Sequence, residues 1–181
     1  TGHALYEMGL PERWRNQPVG QARGMAFHES QSLLSEMQLC IRREFLEYAV
    51  PVIRKSFGVS GDAWTPGNIY RLMTRVQPSL IRVDADEVTY PAHVILRYRL
   101  ECKLIGGTLA VKDLPEAWRE QMQELLGIVP DSDADGCMQD IHWPDGTFGY
   151  FPTYTLGAMT AAQLFQAIEK AIPDLLAKIR A

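Results

Sequence analysis

The sequence predicts an all-α fold, with at most a short β-hairpin or extended segment. Apolar residues recur at three-to-four spacing over most of the chain. The intervals between these stretches carry the Thr-Pro, Asp and Gly signals that start and stop helices. A composition of 46% hydrophobic and 22% charged residues over 181 positions is that of a globular chain with a real core. No internal repeat, low-complexity tract or composition shift is visible, so residues 1–181 read as a single unit.

Taken in order, Thr1 to Glu7 read as the last turns of a helix, because Gly9 and Pro11 are stop signals with no start signal ahead of them. A polar loop from Gly9 to Gly24 leads into a long helical stretch, Met25 to Phe57, with Leu33, Leu34, Met37, Cys40, Ile41, Phe45, Leu46 and Tyr48 at helical spacing. Pro51 is expected to kink or break it. Thr65 as a cap with Pro66 at the first helical position starts a short helix through Val76, ended by Pro78. Leu80 to Val83 reads as a brief extended segment. Asp86 to Ile105 reads as helix, stopped by Gly106-Gly107. Leu114 to Leu126 is an amphipathic helix with Asp113 as its cap and Gly127 as its stop. A long irregular stretch, Ile128 to Thr147, precedes helices at Tyr150 to Ile172 and Pro173 to Ile179. Loops of that length commonly carry function.

The charge balance excludes two classes of partner. A net charge of -4 and a pI of about 5.6 leave no clustered Lys and Arg to attract nucleic acid or an anionic membrane surface. No apolar run approaches the roughly 18 to 20 residues of a membrane-spanning helix, and the first residues lack a signal-peptide layout. Cys40, Cys102 and Cys137 are odd in number and form no C-x-x-C pair, which speaks against a disulfide framework or a zinc ribbon and for a reducing, cytoplasmic setting. Cys40 and Cys102 are expected to fill helix faces as small apolar residues.

Zinc hydrolases of the H-E-x-x-H type place two histidines one helical turn apart so that both imidazoles reach one metal, with the Glu between them as general base. The chain opens Thr1-Gly2-His3-Ala4-Leu5-Tyr6; a preceding His-Glu would complete H-E-T-G-H. Downstream, His28-Glu29-Ser30-Gln31 lies near the start of the next long helix and offers a carboxylate as a third ligand. Two His and one Glu, with water in the fourth position, form a common catalytic zinc set.

Four segments together resemble the thermostable carboxypeptidase (Taq) family of zinc metallocarboxypeptidases: T-G-H-A-L-Y-E at the start, H-E-S-Q at 28–31, I-R-V-D-A-D at 81–86 and G-C-M-Q-D-I-H-W at 136–143. They occur in the family's order and cover the chain, which corresponds to the last third of a member. The resemblance implies part of a larger helical zinc-peptidase fold, with zinc bound by His3, Glu29 and a histidine outside this chain; the general base is absent as well. It implies that Arg82 receives the substrate's C-terminal carboxylate, a planar anion matched by a guanidinium fork. An ion pair of Arg82 with Asp84 or Asp86 is the structural alternative, and Asp86 reads as a helix cap or an arginine partner.

His142 and Tyr154 resemble the His-then-Tyr pair that flanks the scissile carbonyl in related helical zinc peptidases, with Tyr150 as the competitor of Tyr154. Gln139 and Asp140 are expected to shape the loop and orient His142, Ser30 and Gln31 to orient Glu29, and Trp143 to anchor packing; His28 reads as either a support of the ligands or a packed residue. The implied activity is stepwise release of C-terminal amino acids from peptides, in a cytoplasmic homodimer. By itself the chain is expected to be inactive and to self-associate through exposed helix faces. A non-catalytic helical dimerisation or scaffold module is the alternative from another class; endopeptidase or dipeptidase activity is the alternative on the same scaffold.

Overall fold

A computed structural model describes residues 1–180. It is all helical, with no strand among the described residues. The chain divides into two compact units, Thr1–Arg75 with the segment from Leu156 onward, and Val76–Thr155.

In the first unit, α1 (Gly2–Gly9) packs on α2 (Met25–Leu33). Their approach is close because Gly2 has no side chain: a Cβ there would lie 1.9 Å from the Gln31 carbonyl oxygen. The expected continuous helix from Met25 to Phe57 is interrupted. After α2 the backbone widens into a π-helical segment, Leu34–Cys40, turns at Arg42, and resumes as α3 (Arg43–Phe57). Arg42 makes this break. Its backbone is extended (ψ 145°), its Nε donates to the Gln38 carbonyl (2.9 Å), and its guanidinium reaches Glu169 (3.3 Å) and lies 4.2 Å from the Phe165 ring centre on α7 (Pro152–Ala171). Pro51 does not break α3, which continues to a left-handed Gly58; the helix gives up one backbone bond there and stays whole. Thr65 caps α4 (Pro66–Met73) by accepting from the Asn68 amide, and Thr74, bonded to the Tyr70 carbonyl, ends it three residues before the predicted end. Leu46 and Val50 from α3 and Ala161 and Phe165 from α7 are its buried apolar residues. α8 (Leu175–Arg180) packs on α3, where Arg180 pairs with Glu44 and Glu47.

The second unit is built on α5 (Tyr90–Ile105) and α6 (Leu114–Leu126), whose Leu96, Leu100, Leu114, Trp118, Met122 and Leu126 form its core. α5 starts later than Asp86 because Asp86 forms a turn of its own: Oδ1 accepts from the Val88 and Thr89 amides and Oδ2 from the Thr89 hydroxyl and the Gln77 amide, each at 2.9 Å. Of Leu80 to Val83, expected to be extended, Arg82 and Val83 lie in a 3-10 turn, Arg82–Asp84. α6 has the predicted bounds and a left-handed Gly127 stop, but Asp113 makes no side-chain cap bond. Cys102 is exposed on α5, on a face turned away from the Leu96–Leu100 core, and the three cysteines are unbridged. No described helix is long and apolar enough to cross a membrane.

Candidate active site

Of the residues singled out above, the structure brings His3 and Glu29 together in the first unit, and Arg82, His142 and Tyr154 in the second.

His3 and Glu7 lie one turn apart on one face of α1, and α2 presents His28 and Glu29 to that face. His3 Nε2 is 3.4 Å from Glu29 Oε2. His3 Nδ1 is 2.6 Å from His28 Nδ1, and His28 Nε2 is 2.7 Å from Glu7 Oε1. The Tyr6 ring stands edge-on to His28 at 5.3 Å, and its hydroxyl accepts from the Arg23 amide. Glu29 is held by backbone packing: the helix carrying Gly157 approaches so closely that a Cβ there would lie 3.1 Å from Glu29 Cβ. Ser30 and Gln31 do not touch the Glu29 carboxylate. Ser30 is fully buried and donates to the Phe27 carbonyl, and Gln31 donates to Ser30.

A metal ion's fit to this pair can be tested from their spacing. Two ligands at about 2.1 Å from a tetrahedral zinc stand about 3.4 Å apart, and that is the separation of His3 Nε2 and Glu29 Oε2. It is longer than a charge-assisted hydrogen bond of about 2.7–2.9 Å. Two ligands fit. No group of three or more His, Cys, Asp or Glu converges on a metal position among the described residues.

The second cluster is organised by Asp140. Arg82 donates to its Oδ1 from Nε (3.0 Å) and Nη2 (2.8 Å), and Arg97 donates to Oδ2 from Nε (2.5 Å). Arg82 pairs here, not with Asp84 or Asp86, and its Nη1 donates to the Tyr90 hydroxyl at 2.7 Å. Both arginines are buried, Arg97 completely. Burial opposes the Asp140 charge, but Arg97 and Arg82 outweigh it and hold the carboxyl below the usual carboxylate range. Burial brings Arg97 down to about 10. Gln139 completes the clamp: its Oε1 accepts from the Arg82 amide and Arg97 Nη2, and its Nε2 donates to the Leu80, Asp135 and Gly136 carbonyls. Gln139 thus shapes the loop as expected.

Asp140 does not hydrogen-bond His142. Its Oδ1 is 3.8 Å from His142 Nδ1, because two arginines already occupy the carboxylate. His142 is held instead by the Phe151 ring, centroid to centroid 4.4 Å, and by Tyr154, whose hydroxyl is 2.9 Å from Nε2. Tyr150 meets the same imidazole with its ring, at 5.5 Å. Burial, then Arg82, hold the imidazole pKa below its ordinary value despite Asp140. Trp143 packs edge-on to Trp118, and its Nε1 donates to Glu101 (2.8 Å), which also accepts from the Gly149 amide.

Sequence reasoning missed Arg97, Glu101, Tyr90 and Glu7. His93, Arg97 and Glu101 recur every four residues on α5 and therefore share one face; that polar line within a buried helix is the signal that identifies them.

A sequence model of the carboxypeptidase Taq (M32) metallopeptidase family matches residues 1–181. The chain is 41% identical over 178 residues to thermostable carboxypeptidase 1 of Pyrococcus furiosus, covering 98% of the chain and 36% of that protein. It is 46% identical over 174 residues to thermostable carboxypeptidase 1 of Thermus thermophilus, covering 96% and 34%. Among solved structures it is similar to Trypanosoma cruzi metallocarboxypeptidase 1, with a TM-score of 0.91 and 43% identity over 99% of the chain and 38% of that structure. The chain spans about a third of the length of the curated relatives it matches. Matched along its whole length and folded like these helical enzymes, the chain belongs to the carboxypeptidase Taq (M32) metallopeptidase family.

Proposed function

We propose that the full-length protein is a zinc-dependent carboxypeptidase that adds water across the last peptide bond of a substrate, and that residues 1–181 are the C-terminal part of its catalytic domain. The observation that carries this reading is the 3.4 Å approach of His3 Nε2 and Glu29 Oε2, the spacing of two ligands on one ion. A zinc ion in such a site supplies a nucleophilic water at neutral pH and polarises the scissile carbonyl. This chain contributes two ligands; the third ligand and the general base are not among its residues, so by itself it is expected to be inactive.

The other assignments follow from the second cluster. His142 and Tyr154 face each other at 2.9 Å and are assigned as donors to the oxyanion of the tetrahedral intermediate. Arg82 is assigned to the substrate's terminal carboxylate. Asp140 and Tyr90 engage three of the five N–H donors of its guanidinium and fix its plane, and each Nη carries a further hydrogen beyond those bonds. A cytoplasmic homodimer is proposed on the family resemblance alone.

A second reading is favoured by the burial of Arg82, which is 6% exposed: Arg82 serves only to hold Asp140, and the enzyme is an endopeptidase or dipeptidase. The variant R82K, with unfolding midpoints as a control for folding, separates the two. With the zinc-loaded full-length protein, kcat/KM for peptides with a free C-terminus should fall about 10- to 100-fold in R82K, the loss of a charged hydrogen bond. Cleavage of amidated peptides should hardly change. Equal loss on both substrates sinks the carboxylate assignment, and absence of zinc-dependent C-terminal release from the wild type sinks the carboxypeptidase reading.

A further inference from the structure

Between neutral imidazoles, the two close contacts behind His3 determine where its proton sits. An ionised carboxylate only accepts hydrogen bonds, so the hydrogen in the 2.7 Å contact between Glu7 and His28 is carried by His28 Nε2. A neutral imidazole carries one hydrogen, so His28 Nδ1 is a lone pair. The hydrogen in the 2.6 Å contact between the two rings is then carried by His3 Nδ1. A neutral His3 is left with its lone pair on Nε2, the atom that faces Glu29. The opposite assignment would set a nitrogen lone pair of His28 against the Glu7 carboxylate at 2.7 Å, a closer acceptor–acceptor contact than the 3.4 Å between His3 Nε2 and Glu29. A doubly protonated His28 would leave the His3 hydrogen on Nε2, the result that overturns the assignment.

We propose that Glu7 and His28 are positioning residues that select the His3 tautomer whose Nε2 lone pair binds metal. The inference rests on the reading of His3 as a ligand, and it gives His28 a role the sequence had left open. The geometry is over-determined. Glu7 and His3 are fixed one turn apart on the same helix. His28 is carried between them by α2, whose approach depends on Gly2, and the edge of Tyr6 holds its ring, which is 15% exposed at the side chain. Hydrogen bonding at the second nitrogen of a metal-bound histidine fixes tautomer and ring orientation, and its loss typically costs 10- to 100-fold in metal affinity or activity.

The test has two readouts on the full-length protein, both at one fixed pH. In the metal-free, 15N-histidine-labelled wild type, His3 should show a protonated Nδ1 and an unprotonated Nε2. The near-isosteric E7Q, whose amide both donates and accepts, should lose this selection and show a mixture of tautomers. In competition with a chromophoric chelator, the zinc dissociation constants of E7Q and H28F should rise about 10- to 100-fold, while E7D, which keeps the carboxylate, should recover much of the loss. Wild-type His3 protonated at Nε2 overturns the inference, and so do E7Q and H28F proteins that bind zinc as the wild type does. If the wild type binds no zinc, the assignment of His3 as a ligand fails, while the nitrogen resonances still decide the tautomer.

Discussion

Replacing Asp140 by Asn tests the organisation of the second cluster. The carboxylate accepts three bonds from two guanidinium groups, two on Oδ1 from Arg82 and one on Oδ2 from Arg97. Asn keeps one acceptor oxygen and turns an NH2 toward the other arginine, so D140N must set donor against donor at one of them. Arg97 is completely buried and cannot recover hydration. Removing one partner of a buried ion pair costs about 3–5 kcal/mol, because the remaining charge is stranded. For a chain of this size that lowers the thermal midpoint by about 6–20 °C. Urea unfolding followed by circular dichroism measures the free energy directly.

The double variant D140N/R97M provides the check on mechanism. It removes the stranded charge and should be less destabilised than D140N, even though it forfeits the contact of Arg97 with the Trp118 ring, 4.6 Å away. There is also an acid signature. The folded-state pKa of Asp140 is depressed, so its contribution is full above the unfolded value of about 3.9 and is lost as pH falls through that value toward the folded one. D140N should lack this limb. A loss below about 1 kcal/mol in D140N, or a double variant no more stable than D140N, would refute the stranded-charge account.

Two further perturbations test other parts of the structure. His93 is fully buried, and desolvation, then Arg97, bring its pKa down from 6.5 to about 4; the unfolded chain therefore takes up the proton first, and stability on the order of 3 kcal/mol, present above pH 6.5, should be lost as pH falls toward 4. H93L should flatten urea stability across that window, and an unchanged slope would contradict it. At Gly2 an added Cβ meets the backbone carbonyl of Gln31 at 1.9 Å, whereas at Gly157 it meets Glu29 Cβ and Cγ at 3.1 and 3.2 Å. G2A should therefore push α1 off α2, at about 1–3 kcal/mol for overpacking, and weaken zinc binding more than G157A; zinc titrations ranking the two the other way would be inconsistent with the close approach.

Features read correctly from the sequence were those set by neighbouring residues. The Thr65-Pro66 start depends on a side-chain cap, and the Gly106-Gly107 stop and the end of α6 at Gly127 depend on left-handed positions within a turn of the helix end. Features set by distant partners were not read. Pro51 looked like the breaker of the long helix, yet the break falls at Arg42, whose partners Phe165 and Glu169 lie on α7. Asp140 looked like the orienter of His142 two positions away, but its bonds go to arginines 58 and 43 positions distant. A charged residue on a helix usually faces water, so the line of His93, Arg97 and Glu101 on α5, the one local sign of Arg97, does not by itself indicate burial. The candidate site was singled out because His3, Glu29, Arg82 and His142 occur in the order of a known family; Glu7, and the choice between the two readings of His28, depend on contacts between α1 and α2 that spacing does not show.

The saturation of Asp140 also bears on the kind of chemistry the second cluster performs. A histidine oriented by an ionised carboxylate of its own is held toward the charged form and is suited to take a proton. Here the carboxylate is shared by two arginines, and the trio of Arg82, Arg97 and Asp140 carries a formal charge of +1 beside His142. Burial and Arg82 accordingly hold His142 toward the neutral form. Its Nε2 faces the Tyr154 hydroxyl, not a carboxylate. A neutral imidazole and a phenol beside a buried net positive charge are arranged to stabilise a negative oxygen, which is the role proposed for them. On that reading, His142 is not the group that takes a proton from water; it and Tyr154 would donate to the oxyanion that forms when the water oxygen adds to the scissile carbonyl.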